Sequence, residues 1–247
     1  MKGIILAGGN GSRLFPLTKV TNKHLLPIGK YPMIFHAIAK LREANIVEIL
    51  IVTGREHMGD VVSLLGSGSE FGLSFTYKVQ DEAGGIAQAL GLAEKFVNQD
   101  RMIVILGDNV FSEKISEFVS NYHEQKHGAK ILIQEVDDPH RYGVPELSEG
   151  KIASIVEKPR TPKSSYAVTG IYMYDSRVFD IIRSLKPSDR GELEITDVNN
   201  AYISSNSLTY DVLPGWWTDA GTHNSYHRAN ELAKDIIYGE EFGNLKL

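Results

Sequence analysis

The stretch Lys2-Gly3-Ile4-Ile5-Leu6-Ala7-Gly8-Gly9-Asn10-Gly11-Ser12-Arg13-Leu14 decides how this chain is read. Its first six residues, apolar from Gly3 to Ala7, have the length of a short buried strand. The strand empties into a glycine-rich loop that carries an arginine. Glycines let the backbone turn with positive φ and bring bare N–H groups against an anion. Arg13 adds a planar fork of donors that matches phosphate oxygens in pairs. Lys23, in Lys23-His24-Leu25-Leu26-Pro27, supplies a second and more mobile cation. Two common phosphate loops are excluded by spelling. No lysine follows Gly11-Ser12, as a P-loop requires, and no third glycine completes a dinucleotide fingerprint after Gly9-Asn10-Gly11. A turn that uses glycine for geometry alone is the plainer reading of any glycine pair. Gly8, Gly9 and Gly11 with an arginine, at the end of the first strand of an α/β pattern, favour a ligand.

Outward from this loop, residues 47–53, 74–79, 102–106, 130–136, 151–156 and 167–174 read as strands. Helical periodicity marks 32–45, with Ile34, Ile38 and Leu41 on one face and Pro32 suited to the first turn. It also marks 87–97, 114–127, 195–204 and 223–238. The alternation predicts an α/β fold, a Rossmann-like mainly parallel sheet with helices on both faces. Ligands in such sheets bind beyond the carboxyl ends of the strands, where the loops after residues 7 and 106 are expected. No repeat, low-complexity segment or linker interrupts the chain. It reads as one domain with halves of about 1–135 and 136–247.

With 247 residues, 42% hydrophobic and 23% charged, the chain has an ordinary globular composition and length for a substantial core. A net charge of −5 argues against a nucleic-acid surface as its main business. The absence of cysteine removes disulfides, thiol nucleophiles and cysteine-based zinc sites. No apolar run approaches membrane-spanning length, so a cytoplasmic protein is expected.

Several polar residues follow strands. Asp108, in Leu106-Gly107-Asp108-Asn109, suits a hard divalent cation, or equally a helix cap. Asp219, in Trp216-Trp217-Thr218-Asp219-Ala220-Gly221-Thr222, offers a second carboxylate, or a turn aspartate over packed tryptophans. Gln80 ends a strand, where its amide suits a base edge; the Gly84-Gly85 loop beyond it is as readily an ordinary connection. Glu157-Lys158-Pro159 reads either as a site for an anion or as a surface charge pair. Arg190 to Asp197 reads as a charged stretch before a helix, capped by acids. The eight histidines are scattered singly and lack zinc spacing.

Together these residues spell a family. The chain resembles the sugar-1-phosphate nucleotidylyltransferases, and among them the glucose-1-phosphate thymidylyltransferases, over nearly its whole length. The glycine loop, Lys23 to Pro27, Gly84-Gly85-Ile86-Ala87-Gln88-Ala89, Leu106 to Asn109 and Arg141-Tyr142-Gly143-Val144 carry the resemblance. It continues through Glu157-Lys158-Pro159, Tyr166-Ala167-Val168-Thr169-Gly170, Arg190 to Asp197 and Trp217-x-Asp219-x-Gly221-Thr222. The resemblance implies a nucleotidyltransferase (GT-A-like) architecture with a smaller, mixed sugar-binding lobe. It also implies an enzyme that transfers a thymidylyl group from dTTP to α-D-glucose 1-phosphate, giving dTDP-glucose and pyrophosphate, the first step towards dTDP-rhamnose.

Residue by residue, the resemblance implies that Leu6, Gly8, Gly9, Gly11, Ser12 and Arg13 hold the nucleotide, with Arg13 on the departing pyrophosphate. Lys23 would touch phosphates of both substrates, Gln80 and Gly85 would read the base, and Asp108 and Asp219 would hold Mg²⁺. Asn109, Gly143, Glu157, Lys158, Thr169, Gly170 and Arg190 would line the sugar-phosphate pocket, with Lys158 on its phosphate. Arg13, Lys23, Asp108 and Lys158 are then the catalytic set. The nucleophile is an already ionised phosphate, so neutralisation and alignment are needed rather than a general base. The resemblance also implies a homo-oligomer, a tetramer in some members. Longer members continue with helices that help build an effector site between subunits; the chain is similar to a short form without them. Ser12, His24 and Ala83-Gly84 stand where threonine, glutamine and Pro-Asp are usual. A uridylyltransferase is the neighbouring alternative, and a non-catalytic ligand sensor is disfavoured because the charged set is intact.

Overall fold

The computed structural model describes residues 1–239 and Phe242 and divides into two compact units. One comprises residues 1–83, 105–116 and the chain from Gly215; the other comprises 84–104 and 117–214. The chain therefore changes unit four times, and none of these crossings falls near the expected division at 135 and 136. Periodicity reveals elements but carries no record of where a late segment returns. That is why a boundary drawn along the sequence misses this interleaving.

In the first unit, strands Lys2–Ala7, Glu48–Gly54 and Ser74–Gln80 pair in parallel, with Ile5 opposite Ile51 and Ile51 opposite Tyr77. The first two are rich in isoleucine, leucine and valine, and Ile4, Ile5 and Ile49 to Val52 are fully buried. Because the strands are parallel, the loops after Ala7, Gly54 and Gln80 leave the same edge. The helix Met33–Glu43 connects the first two, entered through Pro32. It closes on Asn45 in the left-handed region (φ +57°), with Ile46 N–H donating back to Leu41. The helix Met58–Leu65, which the sequence reading passed over, connects the next two. A short antiparallel pair, Asn109–Phe111 with Trp217–Asp219, sets Asp219 opposite Asn109. The helix His223–Ala233 follows, started by a Thr222–Ser225 capping box and ending five residues before the expected 238.

In the second unit, Ala129–Glu135 pairs antiparallel with Tyr166–Tyr174 and parallel with Leu208–Val212. A hairpin, Gly143–Ser148 with Lys151–Glu157, turns through Glu149 and Gly150, both at positive φ. The helix Ile195–Ser204 matches the expectation. The single helix expected over 87–97 is instead two, Ile86–Gly91 and Glu94–Val97. Gly91 ends the first, glycine being about 1 kcal/mol worse than alanine inside a helix. Arg101 closes the helix Ser116–Glu124. Its guanidinium donates to the carbonyls of Tyr122, His123, Gln125 and Lys126 at 2.5–3.1 Å.

Candidate active site

In the first unit, one apolar cluster holds together four loops that carry expected site residues. Leu14 closes the glycine loop, Leu26 follows Lys23, Val110 follows Asp108 and Asn109, and Ala220 follows Asp219. These pack together with Ile28, Met33, Ala229 and Ala233. Burying one apolar residue from each loop in a common core fixes the polar neighbour beside it.

The polar side of this arrangement is a tight charge cluster. Lys23 Nζ donates to Asp108 Oδ2 at 2.6 Å, with the two side chains only 12% and 13% exposed. Asn109 Nδ2 donates to the other oxygen, Oδ1, at 3.0 Å. Burial pushes the Asp108 pKa up, but the Lys23 ammonium and the hydrogen bonds from Lys23 and Asn109 outweigh it. The carboxyl is held well below its usual range. Gly221 marks the point where the charges converge. A Cβ there would lie 3.0 Å from Asp219 Oδ2, 3.2 Å from Arg13 Nη2 and 3.5 Å from Asp108 Oδ2. Gly221 N–H also donates to Asp219 Oδ2 at 3.2 Å.

Two carboxylates from different loops are a hard-oxygen donor set. It suits Mg²⁺, which keeps several waters and takes one or two carboxylates plus substrate phosphates. Among the described residues no group of three or more His, Cys, Asp or Glu is gathered for a metal. A cation held by this pair would therefore complete its shell from water or substrate.

The glycine loop turns through left-handed backbone. Gly9 and Gly11 have φ of +91° and +60°, and Ser12 and Arg13 form an exposed single turn beyond them. Leu6 is buried, its carbonyl accepting Gly107 N–H at 2.9 Å. Gly8 lies against the buried Gln80: a Cβ there would overlap its Oε1, so the amide would have to shift to admit one. A cleft of about 600 Å³ lies here, lined by Gly9, Asn10, Lys23, Arg55, Gln80 and Glu82 among others. Asn22, which no motif announced, anchors the Lys23 turn. Its Oδ1 accepts His24 N–H at 2.9 Å and lies 2.7 Å from His24 Nδ1. Burial and the adjacent Lys23 push the His24 pKa down to about 3, so this ring is neutral at physiological pH.

The second unit gathers most of the residues expected around a sugar phosphate. Glu157 Oε2 accepts Thr196 Oγ1–H at 2.6 Å, and Oε1 lies 3.6 Å from Lys158 Nζ and 3.5 Å from Arg190 Nη2. Arg190 also clasps Glu194, its Nη2 lying 2.8 Å from each carboxylate oxygen. Gly143 lies against this cluster, where a Cβ would be 3.3 Å from Thr196 Oγ1 and 3.5 Å from Glu157 Oε2. Lys158 sits at φ +44°, its N–H donating to the Tyr142 carbonyl at 2.9 Å.

Other expected members have packing or hydrogen-bond partners within the fold. Thr169 is fully buried with its hydroxyl donating to Leu132 O at 2.8 Å, and Gly170 lies in the same buried strand. Gly85 (φ +98°) is required by the backbone of Leu193, whose carbonyl would be 2.5 Å from a Cβ. That gives it a structural reason independent of any base. Asn109 belongs to the first unit, where Asp108 and Trp217 engage its amide. Thr196, Glu194 and Trp217 sit inside the quoted motifs, but sequence spelling gave no sign of whom they touch.

These features agree with what comparison with known proteins shows. The nucleotidyl transferase family model matches residues 2–236. A glucose-1-phosphate thymidylyltransferase of Neisseria meningitidis is 43% identical over 240 residues, spanning 96% of this chain and 83% of that protein. One from Mycolicibacterium smegmatis is 41% identical over 239 residues, with the same two coverages. Among solved structures, a Bacillus anthracis protein provisionally assigned as a glucose-1-phosphate thymidylyltransferase superposes with a TM-score of 0.96 at 66% identity. The match covers 98% of this chain and 99% of that one. A UDP-glucose pyrophosphorylase bound to UDP-glucose superposes at 0.83 with 26% identity, over 94% and 97%. The likeness bears out the expected mostly parallel central sheet with helices. With its family model matched almost end to end, the chain belongs to the nucleotidyl transferase family.

Proposed function

We propose that the protein transfers a thymidylyl group from dTTP to α-D-glucose 1-phosphate, releasing pyrophosphate and forming dTDP-glucose. The observation that carries this reading is the convergence of Arg13, Asp108 and Asp219 on Gly221, with Lys23 bonded to Asp108. It is supported by relatives of that name at about 40% identity. An oxygen of the sugar phosphate attacks the α-phosphorus of dTTP, and the bond from that phosphorus to the bridging oxygen of the β-phosphate breaks. The electron pair leaves with pyrophosphate, and no proton need be removed from the ionised nucleophile.

Arg13 would take up charge on the departing pyrophosphate, and Lys23 would neutralise phosphate oxygens as the two anions approach. Asp108 and Asp219 would hold Mg²⁺, which when bound supplies further neutralisation at the transferring group. Gln80 would pair with the thymine edge beside Gly8. In the second unit, Lys158 and Arg190 would meet the sugar's phosphate, while Glu157, fixed by Thr196, would accept from sugar hydroxyls. The same reading takes the protein as a cytoplasmic homo-oligomer that feeds dTDP-rhamnose synthesis.

Thymine and uracil share the edge an amide reads, and the likeness to a UDP-glucose pyrophosphorylase favours uridylyl transfer as the second reading. A matrix of dTTP, UTP and CTP against glucose, galactose and mannose 1-phosphates, read by pyrophosphate release, separates them. The proposal expects dTTP with glucose 1-phosphate to give the highest kcat/KM. UTP equalling or exceeding dTTP would remove the thymidylyl assignment.

A further inference from the structure

We propose that Trp217 is a positioning residue for Asp108, acting through the side-chain amide of Asn109. Trp217 Nε1 donates to Asn109 Oδ1 at 2.7 Å, and Asn109 Nδ2 donates to Asp108 Oδ1 at 3.0 Å. Trp217 is 5% exposed and Asn109 2%. The chemistry of the three groups fixes the sense of this chain. An indole N–H only donates and an ionised carboxylate only accepts, while an amide does one at each end. A reversed Asn109 amide would set its NH₂ against the indole N–H and its carbonyl against the carboxylate, opposing like dipoles at both ends. The tryptophan therefore decides which way the amide faces, and the amide holds one oxygen of Asp108 while Lys23 holds the other.

The backbone reinforces the same geometry. Trp217–Asp219 pairs antiparallel with Asn109–Phe111, placing Trp217 opposite Phe111 and Asp219 opposite Asn109. Ala220 N–H donates to the Asp108 carbonyl at 2.8 Å. The indole bond thus spans the short sheet that ends in Asp219 and begins directly after Asp108, so one donor orients Asp108 and ties down the strand ending in Asp219. Groups that orient a ligating carboxylate in this way commonly matter 10–100-fold to metal affinity.

The inference rests on the reading of Asp108 and Asp219 as the cation site, and its test separates the two. Mn²⁺ affinity is measured by electron paramagnetic resonance with dTTP present and sugar phosphate absent, so that no turnover occurs. Trp217→Phe keeps the ring but removes the N–H; we expect it to weaken Mn²⁺ binding about 10–100-fold. The KM for glucose 1-phosphate should stay within about twofold. Asn109→Ala should give a comparable loss, and the double variant should be no worse than either single change, because both break one chain. Asn109→Ala carries the test alone if Trp217→Phe does not fold, and unchanged Mn²⁺ affinity in it would then overturn the relay. Mn²⁺ affinity unchanged in Trp217→Phe, or losses that add in the double variant, would overturn the relay. Full Mn²⁺ binding by Asp108→Asn would instead overturn the cation-site reading on which it stands.

Discussion

Lys158 occupies a backbone conformation that its residue type disfavours. Its φ of +44° lies in the left-handed region, which costs an L-residue about 1–2 kcal/mol, and the following Pro159 presses it further towards extended backbone. The bond from its N–H to Tyr142 O supports the turn, and the turn's effect is to direct a lysine from the end of the hairpin strand. Asparagine tolerates this conformation better, and glycine adopts it freely at about 0.5–1 kcal/mol of extra chain entropy. The ion pair lost with Lys158 lies at 3.6 Å on a side chain 45% exposed, where such pairs are worth roughly 0–1 kcal/mol. Lys158→Asn should therefore raise stability by about 0.5–1 kcal/mol, and Lys158→Gly by somewhat less. At about 2 cal/mol/K per residue, unfolding 247 residues carries roughly 0.5 kcal/mol/K, so the expected gain is about 1–2 °C in Tm. Both variants should lose most of their turnover. Lys158→Arg keeps the charge and the strain, so it should leave Tm unchanged and retain part of the activity. Scanning calorimetry alongside pyrophosphate release reads both quantities. The reasoning fails if the asparagine and glycine variants melt below the parent, since the conformation would then cost nothing that they relieve.

Three further perturbations probe other parts of the molecule. Lys23→Met strands a nearly buried carboxylate and should cost about 3–5 kcal/mol in urea unfolding, much of it recovered when Asp108→Asn is added. Strict additivity would show that the 2.6 Å pair is not coupled. His36 is buried and its pKa is pushed down from 6.5 to about 4 by burial, so the unfolded chain takes up its proton first on acidification. Its contribution is complete above pH 6.5 and is lost between there and about pH 4, at up to about 1.4 kcal/mol per pH unit. His36→Gln should flatten that part of the stability–pH curve; an unaltered slope would assign it to other groups. Arg101→Lys cannot reproduce a guanidinium shared among four carbonyls, so exchange of the amides around Ser116–Glu124 should quicken with Tm lowered by a few degrees. Unchanged exchange there would mean that the helix closes without it.

The parts of the site that could be read from sequence are those whose chemistry lies in local spelling. The strand Lys2–Ala7 and its loop are legible because five apolar or small residues meet three glycines and an arginine within a few positions. Lys23, Asp108 and Asp219 were singled out one by one, yet the core that gathers them includes Ala229 and Ala233 from a late helix, a long-range fact without a sequence signature. Asn22 and Trp217 matter through their partners, and partners are a property of the fold. Gly85 is read from sequence as room for a base, and the fold adds a second reason that no spelling shows, clearance of the Leu193 backbone. The helix missed at Met58–Leu65 is only eight residues long, and Val62 sits on its exposed side, which blurs its periodic signal.

The interleaving of the two units has a consequence for synthesis on the ribosome. Arg13, Lys23 and Asp108 emerge early, but the core that sets them lacks Ala220, Ala229 and Ala233 until the last part of the chain is made. Residues 117–214 must be translated first, an interval of about 5–20 s at typical elongation rates. For that time the glycine loop belongs to an unfinished body. The nascent chain can close its second unit before the first, so the unit that holds Arg13, Lys23, Asp108 and Asp219 is the part assembled last.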